Sequence, residues 1–232
     1  MAKPPNYAGD VRRSQVITTY GPGAIINLRA PSGAPISAVT NGLEAWDEDA
    51  RPAGLRNRQK CYLQRLQKKL EVEGFRLPPV SLNLDQNDAS EYWIALSASK
   101  FPRWLTCPGC NLLQPDKKWA KHNSRPDPAR WCGKCSRGND RRYVVPVRFV
   151  LACANGHLSE FPWHWWLRTR SSGDAKEACE HKKLALRQGK SMALASLTLT
   201  CRKCKKSAGM GGIFASEAFD GLSCKGESPW LP

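Results

Sequence analysis

Four cysteines in two pairs, Cys107-Pro-Gly-Cys110 and Cys132-Gly-Lys-Cys135, constrain this chain more than any other feature. A C-x2-C turn brings two thiolates to one side of a tight bend, and the 21 residues between the pairs are close to the spacing of zinc ribbons. Two such turns facing each other make a closed tetrahedral site. Pro108, Gly109 and Gly133 suit the bends, because knuckle turns aim backbone N–H groups at the sulfurs and often need positive φ. The segment from Leu105 to Gly138 has few large apolar residues, so metal–thiolate bonds supply folding free energy that a small core cannot. An iron–sulfur cluster or a redox C-x2-C is the minor alternative, and four thiolates leave no coordination position open for catalysis.

Ten cysteines occur in all. No stretch approaches the run of about 20 apolar residues that a membrane span needs. The N-terminus, Met1-Ala-Lys-Pro-Pro-Asn6, lacks the apolar core of a signal peptide, so a cytoplasmic location is expected. In that reducing compartment metal coordination explains the cysteines better than disulfides do. Cys179, Cys201, Cys204 and Cys224 are expected to form a second site around Cys201-Arg-Lys-Cys204, for two zinc ions in total. Cys153 and His157, spaced C-x3-H, and His181 compete for membership as alternative ligands. If the four cysteines bind, Cys153 and His157 either stabilise the turn after a strand or belong to a third or mixed site. Cys61 has no partner spacing and is expected to be a free thiol.

The pattern predicts an α+β fold: small mixed or antiparallel sheets with zinc-ribbon modules and a few helices. Residues 1–100 read as an N-terminal α+β region, 101–142 as the zinc-ribbon module, and 143–232 as a second zinc-binding region with an aromatic cluster. Val16-Ile17 and Ala24-Ile25-Ile26 read as extended pieces around a turn at Tyr20-Gly21-Pro22-Gly23. From Leu55 to Phe75 the residues Tyr62, Leu63, Leu66 and Leu70 fall on one helical stripe, which Leu77-Pro78-Pro79 terminates. That stripe is as suited to core as to a partner. Glu91 to Leu96 reads as a short strand or helix. Tyr143 to Ala152 reads as a strand, with Pro146 placing it at an edge or bulge, and Ala195 to Cys201 as another.

Charge points to a partner. With 36 basic against 20 acidic residues the net charge is +16, more than solubility requires, and a polyanion such as nucleic acid is the expected counterpart. A solvated basic surface, or one matched to an acidic protein, is the bland alternative. The basic candidates for nucleic-acid binding are Lys117, Lys118 and Lys121 inside the ribbon, Arg141 and Arg142 before the strand, Arg168 and Arg170, and Arg202, Lys203, Lys205 and Lys206 around the second C-x2-C. Phe161-Pro-Trp-His-Trp-Trp166 can stack on bases. Packing of Trp163, Trp165 and Trp166 beneath the zinc sites, with His164 capping a turn, is the favoured reading.

Catalytic signatures are absent from the sequence. Gly21-Pro22-Gly23 lacks the lysine and hydroxyl of a phosphate loop, and there is no H-E-x-x-H, G-x-S-x-G or deaminase H-x-E with P-C-x-x-C. A non-enzyme is expected.

The stretch Arg12-Arg13-Ser14-Gln15-Val16-Ile17-Thr18-Thr19-Tyr20-Gly21-Pro22-Gly23-Ala24 resembles the N-terminal signature of the DrmB family of the DISARM anti-phage defence system. Phe101-Pro102-Arg103-Trp104-Leu105, Phe149-Val150-Leu151-Ala152-Cys153 with Gly156-His157, the Phe161-Pro-Trp turn, and Cys224 with Pro229-Trp230-Leu231 follow in the family's order. The resemblance runs from about residue 12 to 231. It implies a non-catalytic, DNA-binding partner of DrmA, a superfamily 2 helicase-like ATPase, in a hetero-oligomer, expected as a heterodimer. A zinc-stabilised interaction scaffold without DNA contact is the alternative. Family members usually extend further, so a chain ending at Pro232 is expected to be a fragment, a split gene or an incompletely represented chain.

Overall fold

The computed structural model describes residues 8–9, 11–12, 15, 19–49, 60–76, 80–82, 92–94, 96–122, 127–171 and 179–231. In chain order the strands are β1 (Ile25–Arg29), β2 (Pro35–Thr40), β3 (Lys60–Cys61), β4 (Phe75–Arg76), β5 (Val80–Leu82), β6 (Tyr92–Ile94), β7 (Ala98–Lys100), β8 (Trp104–Thr106) and β9 (Leu112–Pro115). They continue with β10 (Val145–Pro146), β11 (Val150–Ala152), β12 (Leu158–Glu160), β13 (Leu184–Gln188), β14 (Leu197–Cys201) and β15 (Ser207–Gly209). With a few short helices they make the expected α+β fold of small antiparallel sheets. No helix among the described residues is long and apolar enough to cross a membrane.

The first sheet has the order β1-β2-β7. The apolar residues of β1 and β2 bring the hairpin together, and Ile26, Ile36, Ala38 and Val39 are buried in it. Its turn closes through Ala30 N–H to Ala34 O, 2.9 Å, with Gly33 at φ +80°, where a side chain would be strained. Thr40 is fully buried because its hydroxyl has partners: it accepts from Ala24 N–H at 3.1 Å and donates to Gly21 O. The hydroxyl thereby fixes the Gly21-Pro22-Gly23 turn. Val16-Ile17, the extended piece expected before that turn, lies outside the described residues.

The larger sheet runs β10-β8-β9-β13-β14-β15. Strands from 104–115, 145–146 and 184–209 share it, so it crosses the boundary expected at 142. In β14 the pattern Leu-Thr-Leu-Thr-Cys turns Leu199 and Cys201 inward, both 0% exposed. The helix Trp163–Arg170 lies on this sheet and buries Trp163, Trp166 and Leu167. Phe161 packs 4.5 Å from Trp163 and 5.7 Å from Trp166 between ring centroids, and Trp166 Nε1–H donates to Gly209 O at 3.1 Å. The aromatic cluster is therefore core, with Trp165 stacked on Phe219 at its margin. His164 lies inside the helix rather than at a turn and meets Trp104 of β8 edge-on, ring centroids 5.6 Å apart.

Two elements differ from expectation. Tyr143 to Ala152 does not form one strand: Val145–Pro146 ends the large sheet as an edge, and Val150–Ala152 pairs with β12 in a separate hairpin. A proline at the edge forfeits no ladder bond to a further strand, which agrees with its expected position. Of the helix expected over Leu55 to Phe75, residues 55–59 lie outside the described residues; among the described ones it spans Gln64–Leu70 and ends in the left-handed Glu71, φ 54°. Tyr62 at 70% and Leu70 at 53% exposure show that the apolar stripe is not core.

An ion cluster joins the two sheets. Lys100, the last residue of β7, donates to Asp116 Oδ1 at 3.0 Å and to Pro128 O at 2.9 Å, while Arg130 Nη2 meets Asp116 Oδ2 at 3.1 Å. Burial lowers the Lys100 pKa, and the Asp116 carboxylate opposes that shift. Asp116→Ala would leave two partly buried cations side by side, and an equilibrium denaturant melt is expected to show a loss of about 3 kcal/mol. Lys100→Met together with Asp116→Ala should recover part of it.

Candidate metal centres and the basic surface

Cys107 and Cys110 occupy the turn between β8 and β9. The turn is closed by Asn111 N–H to Cys107 O at 2.7 Å and Cys107 N–H to Leu112 O at 3.0 Å, with Asn111 at φ 59°. Cys132 and Cys135 come from a second turn, held by Cys132 N–H to Arg142 O at 2.9 Å and by Ser136 Oγ–H to Cys132 O at 2.7 Å. All four sulfurs lie within 4.8 Å of one another, and Cys110 Sγ is 3.9 Å from Cys132 Sγ. Tetrahedral zinc with bonds of about 2.3 Å places its sulfurs about 3.8 Å apart. The cluster therefore fits that ion. Leu105, Trp119 and Val144 pack around it as a small core.

The electrostatics of the thiols also suit a cation. Burial opposes ionisation of Cys110, but the Leu112 N–H and neighbouring sulfurs bring it down to about 7. Burial and the same crowding push Cys135 up to about 12. Four such groups do not ionise together without a positive charge between them, and a divalent metal supplies it.

The turn after β14 repeats the first knuckle's backbone. Lys205 N–H reaches Cys201 O at 2.9 Å, Cys201 N–H reaches Lys206 O at 2.9 Å, and Lys205 has φ 65°. These match the bonds at Cys107, Asn111 and Leu112 position for position. The donors gathered here are Cys179, His181, Cys201 and Cys204, with Cys179 Sγ 3.9 Å from Cys201 Sγ and His181 Nδ1 3.4 Å from Cys204 Sγ. Zinc sulfur–nitrogen pairs stand about 3.6 Å apart in a tetrahedron, so this cluster fits zinc too.

The expected membership of Cys224 is thus corrected: His181 takes that place. Cys201 pairs with Leu184 in register, so the segment Cys179–His181, just before β13, folds over the knuckle. His181 is 5% exposed, and burial, then the Lys206 and Arg168 charges, lower its pKa, favouring the neutral form a ligand needs. Cys224 instead joins Cys153 and His157, the alternative ligands, in a third cluster.

The basic candidates divide. Arg141 stacks over Trp131 with its guanidinium carbon 4.2 Å from the ring centroid and reaches His122. Arg170 donates to Glu217 O and Ala218 O at 2.8 and 2.9 Å. Arg202 reaches the Cys110 carbonyl and so ties the second knuckle to the first. These three arginines have structural partners. Lys117, Lys118, Lys121, Arg142, Arg168, Lys203 and Lys205 are exposed, and Lys206 is half-buried. Among them Arg168 acts on both histidines: behind burial, Arg168, His181 and Lys118 lower the pKa of His164, and Lys206 and Arg168 lower that of His181.

Glu160 is a further partly buried carboxyl group. Its Oε1 accepts from Arg103 N–H at 2.5 Å, and Oε2 has no hydrogen-bond partner among the described residues. Burial raises its pKa against the pull of Arg103. A raised folded value means this group favours folding below its ordinary pKa and loses that contribution as pH rises through the folded value. Glu160→Gln keeps an acceptor for Arg103 and cannot ionise. Its stability relative to the parent chain is expected to rise from pH 4 to pH 7 in paired thermal melts.

Residues 12–232 match the family model described as a domain of unknown function (DUF8724). The chain is also similar to a protein of Bacillus paralicheniformis named DISARM protein DrmB, at 27% identity over 175 residues. That similarity covers 75% of this chain and 28% of the relative, so the chain corresponds to less than a third of that protein's length.

Proposed function

We propose, from the premise that this chain belongs to the family described as a domain of unknown function (DUF8724), that it is a zinc-stabilised DNA-binding part of a DISARM-type defence against phage. It acts beside a helicase-like ATPase of the DrmA kind in the cytoplasm. The observation that carries the DNA reading is the net charge of +16, with Lys117, Lys118, Lys121, Arg142, Arg168, Lys203 and Lys205 exposed, and with Arg168 in electrostatic reach of His164 along with Lys118 and of His181 along with Lys206. A positive patch built on a zinc-fixed framework holds its charges in register with a phosphate backbone. The two four-donor clusters would saturate a tetrahedral ion, which supports a folding role for the metals they would hold.

The test is reconstitution with the ATPase subunit. The chain should co-elute with it as a heterodimer and raise its DNA-stimulated ATP hydrolysis, and the triple reversal of the patch should remove the stimulation while leaving co-elution intact. Stimulation that survives the reversal would favour an interaction scaffold. Failure to co-elute would count against the partnership itself.

A further inference from the structure

The third cluster lies outside the two knuckles and has a different architecture. Cys153 and His157 close the β11–β12 hairpin, where Cys153 N–H meets His157 O at 3.1 Å and Gly156 N–H meets Cys153 O at 3.0 Å. Gly156 has φ +80°, the left-handed value this turn requires to face both side chains the same way. His157 Nδ1 lies 3.3 Å from Cys153 Sγ and 3.5 Å from Cys224 Sγ. These separations approach the roughly 3.6 Å of a tetrahedral zinc sulfur–nitrogen pair. Gly226 N–H points at Cys224 Sγ, 3.4 Å, the kind of N–H···S contact that steadies a zinc thiolate.

What Cys224 carries gives the cluster a purpose. The segment after it runs along the hairpin, with Leu158 N–H to Glu227 O at 2.9 Å, and then reaches the first sheet. There Trp230 O accepts from Gly42 N–H at 2.8 Å, and the Trp230 ring lies against Gly23, where an added Cβ would be 3.5 Å from it. A single coordination site would therefore fasten residues 224–231 and, through Trp230, hold the Gly21-Pro22-Gly23 turn.

We infer that Cys153, His157 and Cys224 form a third zinc site, with its fourth position open to solvent water, that clasps the C-terminal strap across the hairpin and the N-terminal sheet. Three donors leave one tetrahedral position unfilled by the described residues. Cys224 is exposed, so that position faces water and an attacking chelator. The two knuckles are closed by comparison. The site is a fastening, and its loss frees the strap without unfolding the sheets.

The test uses the zinc-loaded chain. Elemental analysis should find three zinc ions per chain, and a chromogenic chelator should withdraw one ahead of the other two. Cys224→Ser should hold two zinc ions and be cut by trypsin after Lys225 about tenfold faster or more, since release of the strap is local unfolding. A Cys224→Ser chain that still holds three ions would overturn the site, as would a parent chain that holds two while Cys153 and Cys224 react with N-ethylmaleimide. If the variant does not fold, labelling of the parent chain decides. Alkylation of Cys153 and Cys224 on withdrawal of the first ion supports the clasp, and alkylation of the cysteines of either knuckle before them contradicts it; Cys61, in no cluster of the described residues, is labelled in every state.

Discussion

Cys107→Ser is expected to yield a chain that lacks one zinc ion and shows no cooperative melt for the region 104–146. Cys107 is fully buried, and the core around it is Leu105, Trp119 and Val144 with the other cysteines. Structural zinc contributes on the order of 10 kcal/mol to small thiolate domains, whereas a whole domain is stable by about 5–15 kcal/mol. Loss of the ion therefore consumes most of the stability. Because β8 and β9 lie inside the six-stranded sheet, the damage should spread to β13 and β14. Near-ultraviolet circular dichroism and zinc content measured together check this. A variant that melts within a few degrees of the parent while holding one ion fewer would show that the sheet stands without the first knuckle.

The second large effect is on binding. Lys118→Glu, Arg168→Glu and Lys206→Glu together should weaken affinity for duplex DNA about 100-fold at 0.1 M salt and flatten the log–log salt dependence by about 3, since each neutralised phosphate contributes about 0.9 to the slope. The folded state should hardly change, because Lys118 and Arg168 are exposed and none of the three is a metal ligand. Reversal of Arg141, Arg170 and Arg202 makes the contrast. Those side chains stack on Trp131, bond the 217–218 carbonyls and bond the Cys110 carbonyl, so their loss should lower stability as well as binding. Fluorescence anisotropy with a labelled duplex, paired with thermal melts, separates the two sets.

Local spacing made some features legible and hid others. The four sulfurs of Cys107, Cys110, Cys132 and Cys135 come together because each C-x2-C determines its own turn, and two turns then need only meet. The second cluster depends on register. Cys179 and His181 approach Cys201 only because Leu184 pairs with Cys201, and nothing in the spacing C-x-H announces that. A close reading of Cys179-Glu-His181 as two donors on one turn was the available signal. Cys224 depends on a strap that crosses from one hairpin to another sheet, a wholly non-local contact. The kinship of the two knuckles was hidden as well, since Cys-Pro-Gly-Cys and Cys-Arg-Lys-Cys share only their cysteines while Asn111 and Lys205 adopt the same left-handed backbone. Amphipathic spacing located the helix at Leu66 and Leu70 but not its environment, because the helix there is seven residues long and lies with its apolar stripe exposed.

The most direct measurement is a titration of the zinc-loaded chain, alone and joined to the helicase-like ATPase proposed as its partner, with duplex and single-stranded DNA at two salt concentrations. A DNA-binding subunit predicts salt-sensitive affinity for the chain alone and tighter binding in the complex, both weakened by the triple reversal. DNA binding by the ATPase that is the same with and without this chain, at both salt concentrations, would contradict it.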